Sequence, residues 1–182
     1  MMQLPPTPKK YFRKIETILN RLENGRINEL GALDEIYNVM NRFNQWIAQF
    51  MSCKVKCSHC CSIPVDLTDL EARYISDKIG IAINDPVEVL DHCVTFTPCP
   101  FLSHNDECKI YQYRPFNCRT FHSAGNPDDC KYPDKTTLIF GSASHEYSSD
   151  FLLQTAMIIH ALNSGRGSND IRQYFGTSDN LK

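Results

Sequence analysis

Nine cysteines stand in this chain of 182 residues, and their spacing is its first chemical signal. One group reads Cys53-x3-Cys57-x2-Cys60-Cys61. A second reads Cys99-Pro-Phe-Leu, then Cys108-x-Ile-Tyr, then Arg114-Pro and Cys118-Arg119. Thiolates are soft ligands that suit zinc, iron and iron–sulfur clusters. A disulfide scaffold is disfavoured by the odd cysteine count, by an N-terminus without the apolar core of a signal peptide, and by a length that supports a core without staples. Scattered core thiols would not gather so densely. Metal ligation in a reducing compartment, the cytoplasm, is the expectation that remains.

Geometry limits how the first group can work. On one continuous helix its offsets would align the thiols along a face, with residues 53 and 61 about 12 Å apart. A tetrahedral zinc with sulfur at about 2.3 Å holds its sulfurs within about 4 Å of one another. The helix is therefore expected to break after Cys53 or Cys57, with Cys60-Cys61 reached through an irregular turn. Neighbouring side chains tend to diverge, so one of that pair would serve the centre and the other a nearby ion or the core. A site that ties residue 53 to residue 118 closes a long loop, and its binding energy becomes folding energy. Arg114 and Arg119 flank Cys118, where positive charge favours thiolate over thiol; each taken alone is expected to form a surface ion pair. Cys93 is a strand-core thiol or an added ligand, and Cys130 falls in a polar loop. His59 and His122 are placed to complete a cysteine-rich zinc site or to stand behind it. His104 falls in a turn and is expected to be exposed.

The same run of motifs, from Cys53 to Cys118-Arg119, resembles the YkgJ-like cysteine-cluster family, described as chelating zinc or iron. The likeness spans residues 53 to 119. It implies Cys53, Cys57, Cys60, Cys61, Cys99, Cys108 and Cys118 as the metal-site residues, holding an iron–sulfur cluster such as [4Fe–4S], or zinc. A similar cluster occurs in the much longer flagellin lysine N-methylases. This chain has no glycine-rich strand–turn–helix loop for a methyl donor, so that activity does not carry over.

Helical elements are expected on both sides of these loops. Residues 1 to 10 read as a flexible Pro-rich tail, and 11 to 182 as a single domain with 53 to 119 as its metal-chelating region. Phe12, Ile15, Ile18, Leu19 and Leu22 keep helix periodicity up to Asn24-Gly25, with Lys9, Lys10, Arg13 and Lys14 on the solvated face. Leu30, Leu33, Ile36, Tyr37, Met40, Phe43, Ile47, Phe50 and Met51 predict a long amphipathic partner forming a helical hairpin. Thr68 and Glu71 match a capping box for a helix closed by Gly80. A short helix follows Asn84-Asp85-Pro86 to about Asp91. Val94-Thr-Phe is β-prone, and a small β-hairpin is expected to carry Cys99 and Cys108. Residues 113 to 119 read as a turn into a short helix, residues 123 to 136 as a loop, and helices are expected over about 148 to 162 and near 171 to 175, with a Gly/Ser loop at 163 to 169 between them. The expected fold is mainly α with a small β-hairpin and an irregular cysteine-rich centre.

The rest of the sequence excludes more than it assigns. A net charge of −2 offers no general attraction to nucleic acid. The longest apolar stretch, Phe151 to Leu162, falls short of the roughly 20 residues a bilayer span needs. No phosphate-cradling loop, His-Glu-x2-His or nucleophile elbow is present. Three functions fit: an iron–sulfur or iron protein linked to redox or electron transfer, a zinc-stabilised interaction module, or a metal-dependent enzyme of unknown substrate. Each would act on a protein or small-molecule partner that the sequence does not specify.

Overall fold

The computed structural model describes residues 4–53, 57–84, 97–132, 135, 138–142 and 148–176. The element order is α1 (Lys9–Glu23), α2 (Glu29–Ile47), β1 (Asp66–Thr68), α3 (Asp69–Ile79), α4 (Phe116–Arg119), β2 (His122–Ser123), β3 (Ile139–Phe140), α5 (Asp150–Leu162), β4 (Ser168–Asp170) and α6 (Ile171–Phe175). Short 3-10 turns cover Ala48–Phe50, His59–Ser62 and Pro127–Lys131. The fold is mainly helical, as the periodicity implies, with two small antiparallel strand pairs. Among the described residues, no helix is long and apolar enough to cross a membrane.

The helical hairpin forms because each helix has one apolar face to bury. Tyr11, Ile15 and Ile18 of α1 pack on Leu33, Ile36, Met40 and Phe43 of α2, all buried. Phe151 of α5 closes this core, with its ring 5.0 Å from Phe43 and 5.2 Å from Phe12. Asn28 caps α2 by accepting the Gly31 amide. The α3 start carries the full capping box, with Thr68 and Glu71 each bonding the other's backbone, and Gly80 ends the helix at φ +70°.

Two pairings decide where the cysteines go. β1 runs antiparallel to β4, with Asp66 opposite Asp170 and Thr68 opposite Ser168, which ties the segment after the first cysteine group to the C-terminal region. β2 pairs with β3, His122 opposite Phe140 and Ser123 opposite Ile139. Neither pairing follows from local pattern. The expected hairpin around Cys99 and Cys108 is reduced to one bridge, Leu102 to Cys108, and residues 109–113 turn rather than return as a strand. The long helix stops at Ile47, earlier than its apolar pattern suggests. After the Ala48–Phe50 turn Met51 is extended, and the next residue, Ser52, pairs with Ser123. The break therefore precedes Cys53 rather than following it. The short helix expected after Pro86 and the β-prone Val94-Thr-Phe lie outside the described residues, as does Cys93.

Candidate metal centre

Four chain segments deliver the thiols. Cys53 lies along β2, where the Ser52 amide donates to the Ser123 carbonyl at 2.8 Å and the Ser123 amide donates to the Cys53 sulfur at 3.0 Å. Cys60 and Cys61 ride on the His59–Ser62 turn. Cys99 and Cys108 stand at the two ends of a loop closed by the Lys109 amide on the Phe101 carbonyl at 2.8 Å. Cys118 is carried by α4. The two cysteine groups meet backbone to backbone, because the Cys99 amide donates to the Cys61 carbonyl at 2.7 Å. The His59–Ser62 turn and the start of the Cys99 loop are therefore direct neighbours.

The thiols of the two groups also lie within electrostatic reach of one another. Burial pushes the Cys118 thiol well above its ordinary range, and the neighbouring charges of Cys60, Cys99 and Cys108 add to that rise. Cys61 is pushed up by its hydrogen bond to Cys60, by burial, and by Cys99 and Cys108. The same bond pulls Cys60 down, helped by the Arg114 guanidinium, so the proton of this pair sits on Cys61. The vicinal side chains thus bond to each other and do not diverge. Cys99, pushed up to about 11 by burial, accepts the Phe101 amide. Cys108, also raised by burial, accepts the Ile110 amide. Both sulfurs are bonded by the amide two residues ahead, and such donors favour the charged thiolate. Cys53 is raised by burial and feels Cys57 and Cys60.

By these mutual charge effects the thiols sort into two lobes that share Cys60. The inner one holds Cys60, Cys61, Cys99, Cys108 and Cys118; the outer one holds Cys53 and Cys57. Cys130 belongs with the outer lobe. It feels Cys53, Cys57 and Cys60, and it bonds the Ser123 side chain. Its Pro127–Lys131 turn packs on the His59–Ser62 turn, with His59 Nε2 3.8 Å from Asp128. Asn126 caps that turn and Pro127 begins it; this pair was the available sequence signal that residue 130 is held in place.

The flanking arginines differ sharply from each other. Arg119 is fully buried, not at the surface. Its guanidinium donates to the Arg114 carbonyl at 2.7 Å, to Asn41 Oδ1 at 2.6 Å and to the Gln112 carbonyl, and it stands 4.0 Å from the Tyr37 ring centre. It braces the loop that leads into α4. Arg114 stacks on Tyr111 at 4.1 Å and is the cation whose charge acts on Cys60, Cys108 and Cys118. His122 bonds Asn44 at 3.2 Å and is held down to about 4 by burial and by Arg114, so its ring is neutral at pH 7. His104 is exposed, as expected.

Residues 52–140 match the family model CxxCxxCC, which is described as a "putative zinc- or iron-chelating domain". Residues 52–140 of this chain are thus similar to that family. No curated protein and no solved structure matches the chain. The CxxCxxCC domain takes in all the candidate thiols, and Cys130 with them. In this chain three residues separate Cys53 from Cys57, where the family's name writes two.

The donor set fits zinc or iron in its chemistry: soft sulfurs, partly shielded, with amide donors and one arginine to balance negative charge. Among the described residues, no three His, Cys, Asp or Glu side chains stand close enough to grip a single ion. The thiols are gathered in one neighbourhood in a wider arrangement than one ion's coordination shell. A second group of site residues carried no signal in the sequence. Arg172 of α6 reaches the Cys61 and Ile63 carbonyls, each at 3.2 Å, and Asp170 accepts the Val65 amide at 2.7 Å.

Proposed function

We propose that this chain holds an iron–sulfur cluster through the inner thiols of its CxxCxxCC domain, and that the cluster serves electron transfer or a redox-linked reaction. The observation that carries the reading is the inner lobe itself. Cys60, Cys61, Cys99, Cys108 and Cys118 come from separate segments, and Cys99 and Cys108 each accept an amide hydrogen bond. Thiolate-only ligation with N–H donors to sulfur is the chemistry by which proteins bind and tune such clusters. A polynuclear centre also suits sulfurs set wider than the shell of one ion. When bound, the cluster supplies one-electron transfer. The protein's own groups position the sulfurs and keep Arg114 beside them.

Anaerobic purification tests this. Brown protein with broad visible absorption and equal iron and sulfide is the expected outcome, with serine at Cys108 or Cys118 abolishing it. Colourless protein carrying stoichiometric zinc replaces the reading with a zinc-stabilised module. Full metal content in the serine variants refutes the ligand set.

A further inference from the structure

Arg172 lies in α6, outside the stretch that matches the CxxCxxCC domain. Its side chain is 11% exposed. One guanidinium reaches three backbone carbonyls from the two cysteine groups. Nη2 donates to the Cys61 carbonyl at 3.2 Å, to the Ile63 carbonyl at 3.2 Å and to the Thr97 carbonyl, while Nε donates to Thr97 again at 3.0 Å. Nη1 is held by both oxygens of Asp170 at 3.0 Å. Asp170 is itself fixed, since it accepts the Val65 amide and caps α6 through the Arg172 amide. Phe175, one turn further on, packs its ring 5.0 Å from Phe101, two residues past Cys99.

The carbonyls that meet at Arg172 come from two segments, Cys61 and Ile63 from one and Thr97 from the other. Like dipoles pointing at one spot repel, and only a donor with several N–H groups in a fixed plane can satisfy them at once. The Cys61 carbonyl is shared between Arg172 and the Cys99 amide. The distance from Cys61 to Cys99 is thus set jointly by their direct backbone bond and by the Arg172 clamp, whose other end is anchored on β4. The same cation lies near enough to Cys99 to favour its thiolate.

We propose that Arg172 is a positioning residue of the metal centre: it locks the spacing between the Cys60-Cys61 turn and the Cys99 loop. The proposal rests on the reading that these cysteines bind metal. Removing a group that orients ligands commonly weakens metal binding about 10–100-fold. Lysine restores the charge but not the planar fork, so it should not restore the geometry.

The test uses full-length apo-protein titrated anaerobically with Co²⁺, whose thiolate charge-transfer bands report both affinity and coordination geometry. Wild type is compared with Arg172→Met, Arg172→Lys and Ile15→Ala, the last a buried α1 position far along the fold from the cysteines. The expected result is a loss of about 10–100-fold in Co²⁺ affinity, with altered bands, in both Arg172 variants. Ile15→Ala should lower the melting temperature of the apo-protein yet keep the wild-type spectrum and affinity. Wild-type affinity and bands in Arg172→Lys would show that charge and not geometry matters, and would overturn the proposal. So would an equal loss of affinity in Ile15→Ala. Should Arg172→Met not fold, the lysine variant carries the same comparison. If wild type takes up neither Co²⁺ nor a cluster reconstituted from iron and sulfide, the metal-binding reading itself fails and takes this proposal with it; if only the cluster is taken up, the variants are compared by its occupancy and lifetime, with the same expectations; if wild type binds and both Arg172 variants match it, only the clamp fails.

Discussion

Replacing Glu71 by alanine should be among the most damaging single changes outside the cysteines. Its carboxylate is 3% exposed and accepts four hydrogen bonds. Oε1 takes the Tyr37 hydroxyl at 2.6 Å and the Phe116 amide at 2.8 Å; Oε2 takes the Thr68 amide at 2.8 Å and the Thr68 hydroxyl at 2.9 Å. Three elements therefore meet on one side chain: α2 through Tyr37, α3 through its own cap, and the first residue of α4 through Phe116. Alanine leaves the Tyr37 hydroxyl and the Phe116 amide buried without partners, at about 1–3 kcal/mol each, and the lost half of the capping box adds about 1 kcal/mol. A loss of about 4 kcal/mol is expected, a large share of a typical total stability of about 5–15 kcal/mol. Tyr37→Phe removes one donor and should cost only about 1 kcal/mol. In the double variant the hydroxyl penalty is absent, so the two losses should sum to more than the combined loss. Urea denaturation followed by far-UV circular dichroism measures all three. A loss below about 1 kcal/mol for Glu71→Ala, or strict additivity with Tyr37→Phe, would refute the picture of Glu71 as the buried junction beneath α4.

Three further outcomes follow from other sites. His122 ordinarily titrates near 6.5 but is held to about 4 in the fold. The unfolded chain thus takes up a proton that the folded one refuses, so stability present above pH 6.5 should fall by up to about 3 kcal/mol as pH drops towards 4. His122→Gln should flatten that slope in pH-dependent denaturation. Cys61, Cys99, Cys108 and Cys118 all hold their protons more tightly than an ordinary thiol. Metal must displace those protons, so apparent affinity for Co²⁺ should rise with pH by about one log unit per pH unit for each proton released, measured by chelator competition; a pH-independent affinity contradicts it. A Cβ at Gly141 would stand only 2.3 Å from the Thr120 carbonyl oxygen. Gly141→Ala should therefore cost about 1–3 kcal/mol in thermal or urea unfolding and loosen the end of α4, which carries Cys118.

What the sequence revealed divides along the range of the interactions. The α3 cap at Thr68 and Glu71, the stop at Gly80 and the short α6 over Ile171–Phe175 were all legible, because each is written in a few adjacent residues. Cys60-Cys61 on an irregular turn was legible for the same reason. The end of α2 was not, since Phe50 and Met51 continue the apolar pattern and only the pairing of Ser52 with Ser123 draws the chain straight. The facing thiols of Cys60 and Cys61, the place of Cys130 and the burial of Arg119 depend on partners tens of residues away. Arg119 shows why type alone misleads. An arginine beside a cysteine reads as surface charge, yet here three acceptors and the Tyr37 ring pay its desolvation.

These long-range ties also explain how an irregular loop region can present its sulfurs in a fixed pattern. Short turns and a single bridge have little stiffness of their own. Each is fastened to a regular element at a defined point: the 112–119 loop to α2 through Arg119 and Asn41, α4 to α3 through Glu71, the Cys60-Cys61 turn and the Cys99 loop to α6 through Arg172. All three fastenings use a charged group that accepts or donates several hydrogen bonds at once. Such groups are expensive to bury unless every bond is made, so each works only when both of its flanking segments are in place. The spacing of the thiols is therefore set by helices on either side of the cysteine stretch, and a change in any one fastening should reach the sulfurs before it reaches the hairpin core.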